Sequence, residues 1–130
     1  MKTIKFAYYL PVVVKIKDKL DKNVVSWAKY YVFYGEIEIL SSAILSNGVN
    51  GIKGVLAHEM QHLKIFARIP VINFIRSRWF EKVKYSNEVE CFKEQLKFVP
   101  EMLDAFAYTL ANNYGFNITK EQAKKDLEGR

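Results

Sequence analysis

Apolar and polar positions alternate over the first forty residues, the period of an extended strand with one buried face. Residues 4–17 fit one β-strand, within which Val14, Lys15, Ile16 and Lys17 alternate strictly. Residues 24–34 and 36–40, rich in Val, Tyr, Phe, Ile and Trp, fit a strand pair around Gly35. The pattern predicts a small antiparallel sheet.

The period becomes helical near residue 52. Apolar side chains then recur at helical spacing, at Ile52, Val55, Leu56, Met60, Leu63 and Phe66. Residues 47–51 contain two glycines and two asparagines, which predict a turn, and Pro70 lies beyond the last periodic positions. This predicts an amphipathic, buried helix that follows the turn and ends at about Arg68.

The second half of the chain predicts further helices. Residues 70–84 would join the first helix to one that carries Glu88 and Glu90, and Pro100 divides this second helix from another over about 101–113. Thr119 with Gln122 has the spacing of a capping box that opens a final short helix. The predicted class is α+β, a small antiparallel sheet packed on a helical bundle.

Length and composition favour one folded domain over 1–130, because half of the residues are hydrophobic and 15% are aromatic. No apolar run approaches the roughly 18 to 20 residues of a membrane span. Pro11 interrupts the apolar N-terminal stretch, which favours a strand over a secretory signal. One cysteine allows no internal disulfide and suits a reducing compartment. The expectation is a soluble, cytoplasmic protein without a membrane span.

The formal net charge of +6 raises the question of nucleic-acid binding. However, the basic residues form short, scattered groups mixed with acidic and apolar positions, and no nucleic-acid-binding motif accompanies them. A solvated basic surface is therefore favoured, and no specific nucleic-acid partner is expected. A basic nucleic-acid-binding protein with incidental histidines ranks last among the hypotheses.

The candidate chemistry lies at residues 58–62, which spell His-Glu-x-x-His and include both histidines of the chain. Residues four apart share one face of a helix, so the imidazoles of His58 and His62 can converge on one metal ion. Glu59 would point beside the metal. This pattern is typical of zinc hydrolases, in which such a glutamate is the general base.

A catalytic zinc usually takes three protein ligands and one water, so a third ligand must come from elsewhere. Ile65 and Arg68 stand where the longer metzincin motif requires glycine and a third histidine, which excludes that class. Glu88 and Glu90 are the candidates. Since they are two apart on a helix, their side chains point roughly 200° apart, and only one can face the motif helix. Spacing alone leaves the choice open.

Three segments, 35–45, 55–62 and 87–91, together resemble the core of the gluzincin metallopeptidases. The resemblance is greatest to the small soluble relatives of the HtpX and CAAX-protease type, the minigluzincins. It implies a zincin-like fold, one Zn²⁺ per chain held by His58, His62 and Glu88, and Glu59 as the catalytic residue. Cys91 and Phe92 stand where that family usually has Ala and often has Asp.

The function implied is that of a metalloendopeptidase acting on peptides or unfolded protein. Such enzymes add a Tyr or His donor for the developing oxyanion, and Tyr85, Tyr108 and Tyr114 are the candidates because both histidines are already used. Residues 36–40 are the candidate edge strand for pairing with an extended substrate.

The alternative is a zinc-binding but catalytically latent zincin-like module with an interaction or regulatory role. In such a module, the polar C-terminal helix from Thr119 could occupy the cleft, or it could equally be a plain cap of the fold. The sequence does not give the oligomeric state.

Overall fold

The computed structural model describes residues 2–20, 26–31, 33–68 and 72–129. Four strands come first and helices follow, which confirms the α+β class. The elements are β1 (Lys2–Ala7), β2 (Leu10–Lys17), β3 (Ser26–Tyr31), β4 (Tyr34–Leu40), α1 (Ser41–Arg68), α2 (Ile72–Trp79), α3 (Glu81–Leu96), a short 3₁₀ helix (Pro100–Met102), α4 (Leu103–Asn112) and α5 (Lys120–Leu127).

The sheet has the strand order β1-β2-β4-β3 and is mixed, so the prediction of an antiparallel sheet was wrong. Strands β1 and β2, and likewise β3 and β4, pair antiparallel, but β2 and β4 pair parallel, with Val14 opposite Ile37. The alternation of apolar and polar residues is the same for either strand direction, which is why the sequence pattern did not reveal the parallel pair.

Two further strand predictions needed correction. The single strand expected over 4–17 is a hairpin that turns at Tyr8 and Tyr9, where Tyr8 has a positive φ of 59°. The hydroxyl of Tyr9 donates a hydrogen bond to the carbonyl oxygen of Ala67 at 2.9 Å and ties this turn to the end of α1. Gly35 lies within β4 rather than between the two predicted strands. Residues 24, 25 and 32 of that prediction lie outside the described residues.

One face of the sheet packs on α1. The buried residues of this first cluster are Ala7, Leu10, Val12, Ile37, Ile39, Leu63 and Ala67. Gly35 permits a close approach here, because a Cβ at this position would lie 2.8 Å from Leu63 Cδ1. This close approach of Gly35 and Leu63 places the helix that carries the histidines directly on β4.

The other face of β4 buries a carboxylate. Glu38 is fully buried; it accepts a hydrogen bond from Trp27 Nε1 at 2.6 Å, lies 2.7 Å from Lys29 Nζ and also pairs with Lys17. Burial opposes ionisation, but these three donors outweigh it and lower the pKa of Glu38 to about 2. The charged residues of β2 and β3 therefore cover a strand that would otherwise expose this face.

Helix α1 ends at Arg68, as predicted. It begins directly after β4 at Ser41, which is earlier than the predicted start. The turn expected over 47–51 lies inside α1, where the chain is kinked at Gly48 with a φ of 70° and a ψ of −178°. Glycine adopts this conformation at little cost, whereas another residue would be strained. The kink separates the first turns of α1 from the part that carries the histidines.

A second apolar cluster joins α3, α4 and α5. Its buried residues are Val89, Phe92, Val99, Phe106, Ala107, Leu110, Phe116, Ala123 and Leu127. Helix α5 is capped as predicted, with Thr119 Oγ1 accepting from the backbone N–H of Gln122 at 3.1 Å. The side chain of Gln122 instead bonds Asp126 at 2.9 Å, so the reciprocal half of the capping box is not made.

The connection expected over 70–84 contains α2 and the first turn of α3. Among the described helices, none is both long and apolar enough to cross a bilayer.

Candidate metal centre

Helix α1 presents both histidines on one buried face. His58 and His62 lie four residues apart, and their ring centroids are 5.1 Å from each other. The ring of Phe92 on α3 packs edge-on against His58 at 4.4 Å, which fixes that imidazole from the opposite side. The histidines therefore face α3 and not solvent.

Helix α3 brings a carboxylate to both imidazoles. Glu88 Oε2 lies 3.0 Å from His62 Nε2, and Oε1 lies 3.3 Å from His58 Nε2. Glu90, which points to another side of α3, pairs with Arg68 at 3.1 Å and has 38% of its side chain exposed. The structure thus places Glu88 with the histidines and Glu90 away from them, as expected for two positions roughly 200° apart on a helix.

The pKa values of Glu88 and His62 are both shifted in this site. Burial disfavours the carboxylate of Glu88, but the adjacent imidazoles outweigh it and hold the pKa of Glu88 well below its usual range. Burial also disfavours a charged His62, yet hydrogen bonds with Cys91 and Glu88 raise its pKa well above the usual value. Both shifts favour a negative carboxylate beside a positive imidazole, so the pocket can hold opposite charges close together.

Glu59 lies beside this group and does not bridge it. The residue is 5% exposed, and its Oε1 is 3.8 Å from His58 Nε2. Burial raises the pKa of Glu59; the negative Glu88 adds to this increase and the two histidines oppose it. Its carboxyl group is therefore more basic than an exposed glutamate and adjoins the same open space as His58.

Cys91 is a member of the site that the sequence did not identify as a ligand. It is completely buried one helical turn after Glu88, on the same side of α3. Ligand atoms of His58, His62 and Cys91 all lie within 4.8 Å of one another. Burial raises the pKa of the thiol to about 11, although His62 opposes the shift. Cys91 lies three residues after Glu88, a spacing that places both on one side of a helix, and this was the only sign in the sequence that Cys91 belongs to the site.

The three tyrosine candidates lie in different places. Tyr114 lines the cleft at the site, and burial together with the nearby Glu88 raises its pKa, so its hydroxyl keeps its proton. Tyr85 instead donates a hydrogen bond to Asp126 on α5 at 2.6 Å. Tyr108 is 55% exposed and does not line the cleft. Of these candidates, the structure brings only Tyr114 to the histidines.

The cleft has a volume of about 420 Å³, within the usual range for small-molecule and peptide side-chain sites. Residues from four parts of the chain line it, including Ser26, His58, Glu59, Phe92, Asn113 and Tyr114. Ser26 begins β3, so one end of this strand reaches the cleft. The rest of the cleft wall is formed by α1, α3, α4 and the residues just after α4.

One prediction about the cleft was wrong. Residues 36–40 do not form an edge, because β4 pairs with β2 on one side and with β3 on the other. Among the described strands the outer ones are β1 and β3. The C-terminal helix α5, for which occupation of the cleft and a plain cap were both open, packs through Ala123 and Leu127 on the second cluster and does not line the cleft.

The residues present fit a zinc ion. Two buried atoms of the group, Glu88 Oε1 and His58 Nδ1, make no hydrogen bond, which is costly for buried polar atoms unless another partner binds. Imidazole, carboxylate and thiolate are the groups that zinc prefers in proteins. Searches of known protein families, of curated proteins and of solved structures found no match to this chain.

Proposed function

We propose that this protein is a zinc-dependent metalloendopeptidase of the gluzincin type, with a zincin-like catalytic domain. One observation carries the proposal: the only two histidines of the chain meet Glu88, a residue of a different helix, at 3.0 and 3.3 Å. His58, His62 and Glu88 would hold one zinc. A purely structural ion pair would not require a glutamate such as Glu59 beside it at the wall of a cleft.

In this proposal, bound zinc supplies an ionisable water near neutral pH and polarises the scissile carbonyl group. Glu59 accepts the proton of that water and later gives it to the leaving amine, a role that requires a carboxyl group beside the ligands and not among them. Tyr114 can donate its hydroxyl proton to the oxyanion that develops. Phe92 holds His58 in position and excludes water from one side of the site.

The substrate would be an extended peptide or unfolded protein. Among the described strands, β3 pairs only with β4, and its first residue, Ser26, lines the cleft. An extended peptide can add to such an edge by main-chain hydrogen bonds, and this positions a peptide bond independently of its side chains. The cleft then has room for a side chain next to the scissile bond.

Zinc content and peptidase activity test the proposal. Wild-type protein should contain about one zinc per chain, E88Q should lose it, and E90Q is the matched control that should keep it, because Glu90 pairs with Arg68 instead. E59Q should keep zinc and lose roughly 10²- to 10⁴-fold in turnover of a peptide substrate. A protein that takes up no zinc after reconstitution, or an E59Q variant with full activity, would refute the proposal.

The alternative, a latent zinc-binding module, has one observation in its favour: a thiol lies within 4.8 Å of the histidine ligand atoms. Zinc sites with four protein ligands are usually structural, whereas catalytic sites keep a position for water. Zinc binding with no turnover in wild type, and no effect of E59Q on any measured property, would favour this alternative over the enzyme.

A further inference from the structure

We propose that Cys91 is a fourth protein ligand of the zinc, so that the resting site is closed by two imidazoles, one carboxylate and one thiolate. The inference rests on the proposed function insofar as a metal must bind at His58 and His62. It adds a form of regulation: the sulfur has to leave the metal before water can take its position.

Geometry is the first support. The ligand atoms of a tetrahedral zinc site with nitrogen and sulfur ligands are about 3.3 to 3.6 Å apart. Those of His58, His62 and Cys91 already lie within 4.8 Å of one another, before any metal draws them together. A closure of about 1 Å is within the reach of a rotation of the cysteine side chain. Glu88, one turn earlier on α3, is in contact with both imidazoles.

The surroundings of Cys91 are the second support. Buried cysteines usually act as small apolar residues in a core. Cys91 is completely buried, yet it belongs to neither of the two apolar clusters, and its sulfur lies within 4.8 Å of a ring nitrogen of His62. Its neighbour Phe92 does belong to the second cluster and anchors this part of α3. The thiol is thus held against the histidines by the packing of the residue beside it.

Unsatisfied polar atoms are the third support. Glu88 Oε1 and His58 Nδ1 are buried and make no hydrogen bond, although the carboxylate and the imidazole are each about nine-tenths buried. A metal bound between α1 and α3 gives this carboxylate oxygen a partner. Cys91 lies on the same side of α3 as Glu88, and its sulfur is already within 4.8 Å of the ligand atoms of both histidines.

The consequence is a site in two states. With four protein ligands the zinc has no open position, and with three it can bind water. Dissociation of Cys91 is therefore the step that would convert a closed site into a hydrolytic one. Alanine at position 91 would leave the three-ligand arrangement permanently open.

Cobalt substitution tests this assignment, because a thiolate ligand gives Co²⁺ an intense near-ultraviolet charge-transfer band. Chelator-stripped wild type, C91A and C91S are each loaded with Co²⁺, and metal content and absorption are measured. Circular dichroism of each variant checks that it is folded. Cys91 is the only cysteine in the chain, so no other thiolate can produce the band. Wild type should bind one cobalt and show the band, and both variants should bind cobalt without it.

Wild-type protein that binds cobalt without the band would overturn the ligand assignment and leave the three-ligand site intact. A band that persists in both variants would overturn it as well. If wild type bound no cobalt and no zinc, the proposed metal centre itself would fail, and the role of Cys91 with it. The two failures are therefore distinguishable by metal content alone.

Discussion

The close contact between β4 and α1 gives a prediction that can be worked out from distances. A Cβ at Gly35 would lie 2.8 Å from Leu63 Cδ1 and 3.0 Å from Cδ2, whereas non-bonded carbons prefer about 3.5 to 4.0 Å. Leu63 is completely buried and has little space to move into. Overpacking of this kind costs about 1 to 3 kcal/mol. Alanine recovers roughly 0.5 to 1 kcal/mol of the conformational entropy that glycine loses on folding. At the middle of both ranges, G35A should therefore lower the free energy of unfolding by about 1 kcal/mol.

Urea unfolding of a double-mutant cycle measures this contact directly. L63A alone should cost about 2 to 5 kcal/mol, because it leaves a cavity between β4 and α1. In the double variant the new methyl group at position 35 enters the space that Leu63 vacated. The combined loss should therefore be smaller than the sum of the two single losses by about 1 to 2 kcal/mol, a coupling energy that neighbouring residues typically show.

Two results would refute this reasoning. One is a G35A variant as stable as wild type, and the other is additivity within about 0.5 kcal/mol, the behaviour of independent sites.

A functional consequence can be checked in the same variants. Since Leu63 directly follows His62, a displaced α1 also displaces this proposed ligand, so zinc affinity should fall in G35A and recover in the double variant.

Three further predictions concern Glu38 on β4, Tyr114 at the cleft and the cap of α5. E38Q should lower stability by about 1 to 3 kcal/mol at pH 7, less than full burial would give because the lysine partners are half-exposed. Because the pKa of Glu38 is lowered to about 2 in the folded protein, its ionised carboxylate stabilises the fold fully above pH 4.5, and this contribution is lost as pH falls towards 2. The free energies of unfolding of E38Q and wild type, measured in urea, should therefore converge in acid. Y114F should reduce peptidase turnover and leave zinc content unchanged, whereas Y85F, the matched control, should leave both unchanged; equal effects on turnover would contradict the placement of Tyr114. T119A should cost about 0.5 to 2 kcal/mol through loss of the cap on the Gln122 N–H, measured by thermal unfolding, and an unchanged midpoint would contradict it.

Prediction from sequence succeeded for helices better than for the sheet. The ends of α1 and α4 and the cap of α5 follow from signals within a few residues of each helix end, and these were largely correct. The hairpin turn at Tyr8 carries no glycine or asparagine, so its position was missed. The parallel pairing of β2 with β4 depends on residues far apart in the chain. As a result, the predicted edge strand lies inside the sheet.

The sequence by itself determined that His58 and His62 share one helical face with Glu59 beside them, because helical periodicity is local and needs no tertiary contact. The resemblance noted in the sequence favoured Glu88 over Glu90, but only the tertiary structure placed the Glu88 side chain opposite the histidines, together with Cys91 and Tyr114. That outcome depends on how α3 lies against α1 and α4 against α3, and apolar residues such as Phe92 and Phe106 set the second of these arrangements. Hydrophobic burial does not depend on sequence separation, and spacing along the chain therefore could not reveal which distant side chains complete the site.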